Sequence, residues 1–489
     1  RWRPGAHRRH LCAGRVAEGR RVICRVARAL GSTAIALALS ACSLAPPYAL
    51  PTTPIAASFR EQGPWTPAQP ADAQPRGQWW AMFSDPVLDD LEVRAEKANP
   101  TLAAAVAAYD TAHALSAQAR AGLVPEIDGA AVSNRQRRSD NAPLRVGGPN
   151  AYDLDQVGVS IAYEIDLWGR LRNLARGAGD RAQASEADLR SARLSLQADL
   201  ADDYLTLRGL DAQVRLLEST VTAYERALEL TRVRHDGGNA SGLDLARAQT
   251  QLSTAKAQLT DVGAQRALME HAIAVLVGES ASTFRLEPTD KAIPQPVVAV
   301  SAPSTLLQRR PDIAASERRA AAANADIGVA RAALFPSLTI DGSAGWQTGG
   351  GINLLQAPNT FWMLGPQLAG AIFDGGRRAA GVRASRAQFD EASANYRGVV
   401  LNAFRDVEDQ MALANRLAVE AKDQADAVAA ARRSVDLANI RYRMGGATYL
   451  DVVTAQTAAL AAEQTAIQLT TRRLQASVDL TRALGGAWS

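Results

Sequence analysis

The sequence predicts an α+β membrane protein with a tandem-duplicated protomer: four β-strands and two pairs of very long helices. Three observations carry that prediction. First, the stretch Ile440-Arg-Tyr-Arg-Met-Gly-Gly-Ala-Thr-Tyr-Leu-Asp-Val recurs upstream as Val233-Arg-His-Asp-Gly-Gly-Asn-Ala-Ser-Gly-Leu-Asp-Leu, at a constant offset of 207 residues. The offset also relates Gly169-Arg170 to Gly376-Arg377 and Gly278 to Gly485, with no gap between. Two copies are too few for a solenoid, so they read as pseudo-symmetric halves of one architecture. Second, four short stretches alternate apolar and polar residues with period two. Third, residues 169–234 and 376–441 each read as one helix, long enough to span about 100 Å.

The leader comes first. Arg25 and Arg28 precede the apolar run Ala29–Leu39, which ends in Leu39-Ser40-Ala41-Cys42. Such a run is too short to cross a bilayer and reads as a signal peptide over 1–41. The chain starts at Arg1 rather than Met, and residues 1–21 are expected to be an upstream extension. Leu-Ser-Ala-Cys looks like a bacterial lipobox, which makes Cys42 the lipidation site; the alternative is a plain signal peptide with an incidental Cys. Ser43, not Asp, follows the Cys, which favours the outer membrane. Of the net charge of +4, the leader contributes +8 from nine Arg and one Glu, so the remainder carries −4 and presents no nucleic-acid surface. Cys12 and Cys24 lie in the leader, so no internal disulfide can form after processing.

Residues 42–86 read as an extended, poorly ordered tether rich in Pro, Ala and Thr. The first repeat, 87–285, opens with helices at 87–97 and 101–121, broken by Asn99-Pro100. Strands follow at about 125–135 and 155–166; the second places Val157, Val159, Ile161, Tyr163 and Ile165 on one face. A linker, 286–310, leads to the second repeat, 311–486, with strands at about 337–347 and 360–373. The long helices carry heptad-like seams, Leu200 through Leu228 in the first and Val400, Phe404, Val407, Met411, Ala414, Ala418, Ala421, Ala425 and Val428 in the second. Gly237-Gly238 and Gly445-Gly446 form tip turns, and helices return over 243–277 and 450–484. Loops 136–153 and 348–359 are expected to face outside the cell.

Four amphipathic strands cannot close a barrel, because single-chain membrane barrels begin at about eight. An open sheet edge in lipid leaves backbone groups unsatisfied. Other copies of the chain must therefore complete the sheet.

The join between the repeats carries a family signature. Leu307-Gln-Arg-Arg310-Pro-Asp-Ile313, Ala321-Ala-Ala-Asn324-Ala-Asp-Ile-Gly328 and Leu334-Phe-Pro-Ser-Leu338 resemble the outer membrane efflux protein family, most closely its NodT and OprM branch, with TolC more distant. Ile372-Phe-Asp-Gly-Gly376-Arg377, Tyr449-Leu-Asp-Val452, Trp79-Trp80 and Asp85-Pro86-Val-Leu88 agree with it. The resemblance spans about 42–486. It implies a TolC-like homotrimer in which three protomers form a twelve-stranded outer-membrane β-barrel on a periplasmic α-barrel of coiled-coil helices. It further implies an exit duct for small molecules such as drugs, lipid-anchored in the Gram-negative outer membrane, with a periplasmic adaptor protein and an inner-membrane RND-type transporter as partners. No cofactor or metal is implied.

The resemblance also places a gate at the periplasmic tip. Tyr442 and Asp451 match gate positions, and Asp244 is the first-repeat equivalent of Asp451. A threefold ring of such carboxylates would attract cations. Equally, both Asp suit the first turn of a helix. Ala447 and Thr454 stand where a gate Arg and a second gate Asp belong in TolC, so that salt-bridge latch is not expected here. Asp89-Asp90 and Asp202-Asp203 read as solvated helix faces. No catalytic constellation is present, which counts against an enzyme. A lipid-tethered coiled-coil adaptor would lack the alternating strands. A secretion duct for a polypeptide or oligosaccharide remains open.

Overall fold

The computed structural model describes residues 43–53, 58–61, 77–141, 150–298, 309–349 and 353–486. The leader with Cys42, much of the tether, and parts of the linker and of the two predicted outer loops lie outside the described residues. The described residues of 1–50, 112–182 and 319–392 form one compact unit, and those of 51–111, 183–318 and 393–489 a second. In chain order the elements are a 3-10 turn at Trp79–Phe83, α1 Pro86–Ala98, α2 Pro100–Ala121, β1 Glu126–Arg137, β2 Ala151–Ile165, α3 Arg170–Asp236, α4 Gly242–Leu276, α5 Pro311–Ala332, β3 Ser337–Thr348, β4 Thr360–Ala369, α6 Arg377–Arg443 and α7 Tyr449–Ala483. None of the described helices is long and apolar enough to cross a membrane.

The first unit holds a four-stranded antiparallel sheet in the order β1-β2-β3-β4. Its two hairpins join along β2 and β3, from Asp155↔Thr348 to Ile165↔Leu338. The close approach along this seam explains two glycines: a Cβ at Gly345 would strike the Val157 carbonyl, and one at Gly158 would lie 2.7 Å from the Ala344 carbonyl oxygen. The β1–β2 pairing runs beyond the predicted strand ends to Arg137↔Ala151. Polar cross-strand bonds carry that extension, Ser133 Oγ to Asp155 Oδ1 at 2.7 Å and Gln136 Nε2 to the Tyr152 hydroxyl at 2.5 Å. Residues 133–137 show no apolar–polar alternation, and the pairing rests on the polar contacts instead. Conversely, β4 ends at Ala369 and not at 373. Its partner β3 begins at Ser337 after Pro336, which has no N–H to offer, and Ser337↔Ala369 is the last pair. Ile372 and Phe373 are left fully exposed. β1 and β4 each pair along one side only among the described residues.

In the second unit, Trp79, Trp80, Phe83, Leu88 and Leu91 pack with Leu196, Leu200, Tyr204 and Leu207 of α3, Ile273 of α4 and Val277 at its C-cap. Asp85 organises this core's edge. It N-caps α1 by accepting from Val87 N at 3.0 Å, with Pro86 at the first helical position, and accepts the Tyr204 hydroxyl at 2.7 Å. Further along the first hairpin, Leu210, Leu217 and Val262 form one apolar layer and Tyr224, Leu252 and Ala255 the next, as the heptad steps require. In the second hairpin, Val407 and Met411 are buried and Ala421 packs on the seam as predicted, but the seam also takes in Leu417. Ala418 and Ala425 are exposed. Both registers keep three-and-four spacing; the observed one buries Leu417, which removes more apolar area than an alanine would.

Two acidic pairs read as solvated faces are not so throughout. Burial pushes Asp202 up to about 8 and Asp203 up to about 6, and Asp89 has one buried carboxylate oxygen. Asp90 is exposed, as the sequence reading had it. The strongest effect falls on Glu92, 1% exposed on the inner face of α1 and pushed up to about 9, mainly by burial. A carboxyl whose folded pKa lies far above its unfolded value stabilises the fold fully below the unfolded pKa, near 4.3, and loses that contribution as pH rises through the folded pKa. Thermal melts are therefore expected to drop progressively between about pH 5 and pH 9. Glu92→Gln, neutral at every pH, should flatten that slope. A variant with an unchanged slope would assign the dependence to other groups.

Candidate functional site

The site is built where each long helix turns back, within the second unit. Both turns solve the same problem: the last carbonyls of a helix have no partner inside it. In the first, Asn239 N donates to Arg234 O at 2.7 Å and Gly238 N to His235 O at 2.9 Å. In the second, Gly446 N donates to Arg441 O at 2.8 Å and Gly445 N to Tyr442 O at 3.1 Å. This double bond pattern needs a left-handed residue, and Gly238 and Gly445 supply it with φ of 76° and 75°. Gly237 and Gly446 adopt ordinary φ, so only one glycine of each pair is required by the turn.

The returning helices begin at the two predicted aspartates. Ser241 caps α4: its Oγ accepts from Asp244 N at 3.1 Å, while Asp244 Oδ2 accepts from Ser241 Oγ at 2.8 Å and Ser241 N at 3.3 Å. This is a capping box in which Asp replaces the usual Glu. At the start of α7, Asp451 Oδ2 accepts from both Thr448 N and Thr448 Oγ1 at 2.8 Å. These bonds, with the positive charge of Arg441, hold the Asp451 carboxyl below its ordinary range. Asp244 also pairs with Arg247 at 3.5 Å, one turn along its own helix. The capping reading of both residues is therefore what the geometry displays; both caps sit beside the turns.

Tyr442 is held by a residue the sequence reading named only as part of the repeat. The Arg234 guanidinium lies 4.6 Å from the centre of the Tyr442 ring. It donates to the Tyr442 carbonyl at 3.3 Å and the Arg443 carbonyl at 3.4 Å. Both carbonyls lie in the last turn at the negative end of α6, where a cation is favoured, and the Tyr442 oxygen also accepts from Gly445 N. A side chain of the first repeat thus caps a helix of the second. Its counterpart Arg441 turns instead to Gly446 O in its own turn, at 3.1 Å. The only sequence signal for this was an Arg in the last turn of each long helix; which of the two reaches across is decided by the packing. Next to the clasp, the Tyr442 and Tyr449 rings lie 5.5 Å apart. Tyr449 is buried with Ala248 and Val452, and burial pushes its hydroxyl up to about 12. Gln251 Nε2 donates to Gln456 Oε1 at 3.1 Å, a second polar link between the repeats. Ala447 and Thr454 contribute no charge here, so the cross-repeat contact is a cation on an aromatic ring and two carbonyls.

The Asp451 cap has a defined pH signature. Its folded pKa is depressed, so its stabilisation is present above the unfolded pKa, near 3.9, and is lost as pH falls through the folded value. Amide exchange at residues 449–452 is expected to be faster in Asp451→Asn than in wild type at pH 7. The difference should vanish in acid; if it persists there, the carboxylate is not the cap.

Comparison with known proteins gives a consistent picture. The sequence profile described as "Outer membrane efflux protein" matches residues 91–279 and 302–486. The pyoverdine export outer membrane protein OpmQ of Pseudomonas aeruginosa is 35% identical over 424 residues, covering 86% of this chain and 89% of the relative. The toluene efflux pump outer membrane protein TtgF of Pseudomonas putida is 34% identical over 469 residues, covering 94% and 96%. Among solved structures, the outer-membrane channel OprN superposes with a TM-score of 0.82 at 28% identity, covering 91% of this chain and all of the other. The CmeC outer membrane channel of Campylobacter jejuni superposes at 0.84 with 23% identity, covering 91% and 95%, a likeness of fold.

Proposed function

Because the chain belongs to the outer membrane efflux protein family and is the outer-membrane channel component of a Gram-negative efflux pump, we propose that three copies complete one exit duct. The observation that carries this is the open four-stranded sheet. In hydrocarbon every backbone N–H and C=O must find a partner, so the free edges of β1 and β4 cannot face lipid. Joining β4 of one copy to β1 of the next satisfies both edges, and three copies make a twelve-stranded barrel, within the range of membrane barrels. Trp362, Leu364 and Leu368, on one face of β4 and all exposed in the single chain, are side chains a lipid-facing or inter-copy surface can absorb.

The helical hairpins then form the periplasmic part of the duct, with the Gly238 and Gly445 turns at its tip. A periplasmic adaptor and an inner-membrane RND-type transporter deliver small molecules to it, and Cys42 carries the lipid anchor, palmitate included. The duct itself performs no chemistry. Its gate is the region of Arg234, Tyr442, Asp244 and Asp451: the Arg234 clasp ties the second hairpin to the first, and two Asp per chain give the tip a cation-preferring ring. A secretion duct for larger polymers would use the same architecture, and the relatives named for toluene efflux and pyoverdine export favour small molecules.

Single-channel recording of the purified protein in planar bilayers tests this. Wild type should give a small, cation-preferring conductance. Arg234→Ala should raise it several-fold by releasing the clasp, and Asp244→Ala/Asp451→Ala should weaken the cation preference. Conductance unaltered by Arg234→Ala would reduce the clasp to a helix cap. Absence of channels from folded, assembled protein would overturn the duct.

A further inference from the structure

The Asn324-Ala-Asp-Ile-Gly328 signature is not used by the strands or the tip, yet the structure gives it a partner. Residues 43–46 of the N-terminal segment are pinned along α5 rather than loosely tethered. The Pro46 carbonyl accepts from Asn324 Nδ2 at 2.9 Å, and the Leu44 carbonyl accepts from Arg331 at 3.2 Å. Ser43 Oγ donates across to Oδ1 of Asn173, a residue only 2% exposed in the first turn of α3. Gly328 lies beneath the strap: a Cβ there would be 2.8 Å from the Ala45 methyl and 2.5 Å from Asn173 Nδ2. Glycine inside a helix is unfavourable, and at this position the two close neighbours leave no room for a Cβ. The Asn173 amide makes the nearest approach, and the chain's own N-terminal segment lies only a few tenths of an ångström farther off.

The direction of the strap is the informative part. Residues 46, 45 and 44 follow positions 324, 328 and 331, so from residue 46 to residue 44 the strap climbs toward the C-terminal end of α5. Beyond that end lies an apolar patch at the helix-proximal end of the sheet. Leu334 and Phe335 are 47% and 42% exposed, and the Phe335 ring stacks on Trp168 at 4.6 Å. Trp168 Nε1 donates to Pro336 O at 2.8 Å, fixing the pair against the start of β3. An apolar body with a polar tip satisfied is the side-chain chemistry of a membrane interface.

We propose that Asn324, Gly328, Arg331 and Asn173 form a dock for the N-terminal strap, and that the dock seats the acyl chains of Cys42 on the Leu334–Phe335–Trp168 patch. This rests on the reading of Cys42 as the lipidated residue. The dock exists in one repeat only. With Pro336 set against Pro125, His113 and Ala117 stand in place of Asn324 and Gly328, and Ala380 replaces Asn173 by the internal offset. The duplicated halves thus offer one dock for one N-terminus, and a trimer would carry three lipid anchors at fixed positions beside the barrel.

The test uses the full-length protein matured in its own outer membrane, with Phe335→p-benzoylphenylalanine and, should that perturb folding, Leu334→p-benzoylphenylalanine. After illumination, mass spectrometry should find the labelled peptide joined to the acylated N-terminal peptide. The same probe at Thr348, the opposite end of β3, should give no such product. Asn324→Ala/Arg331→Ala should reduce the product several-fold without loss of channel conductance. Adducts with free phospholipid alone, on protein whose Cys42 is acylated, would overturn the dock and leave lipidation standing. An unmodified Cys42 would overturn both.

Discussion

The constraint on which everything else depends is the pairing requirement of backbone amides. A sheet of four strands whose β1 and β4 are each, among the described residues, unpaired on one side is not a finished structure for a bilayer. The strands that carry this requirement lead directly into helices 67 residues long. Completing the edges with further copies also multiplies every tip feature by the number of copies.

Duplication supplied two similar hairpins, and the interesting chemistry lies where they differ. Arg234 and Arg441 occupy equivalent positions, yet one reaches across to the other repeat and the other serves its own turn. Asp244 and Asp451 both begin returning helices, but only Asp244 has an adjacent Arg247 in its ion pair. Asn324 and Gly328 have no counterparts in the first repeat. A two-fold repeat placed in an assembly of other symmetry needs such differences, because each copy meets a different neighbour.

Much of the architecture was readable because local rules were strong. Helix bounds at the glycine turns follow from left-handed geometry that only glycine adopts cheaply, and Asp85-Pro86 announces a helix start by its own side chain. Strand ends were less readable: Gln136 pairs with Tyr152, and Pro336 truncates β4, through contacts between strands that no alternation pattern encodes. The second-hairpin seam moved to Leu417 because a heptad pattern in an alanine-rich helix admits more than one register.

The sequence by itself determined the duplication, the four strands, the long hairpins, the tip turns and the family, since each is written in spacing or in residues with narrow conformational choices. Only the tertiary structure decided that Asp244 and Asp451 cap their helices, that Arg234 clasps Tyr442, that Glu92 and Asp202 are buried acids, and that the N-terminal strap lies on Gly328. Each of those is a relation between residues far apart in the chain or a choice among partners of equal local merit. Burial and distance settle such choices, and neither is a property of a residue's own neighbours in sequence.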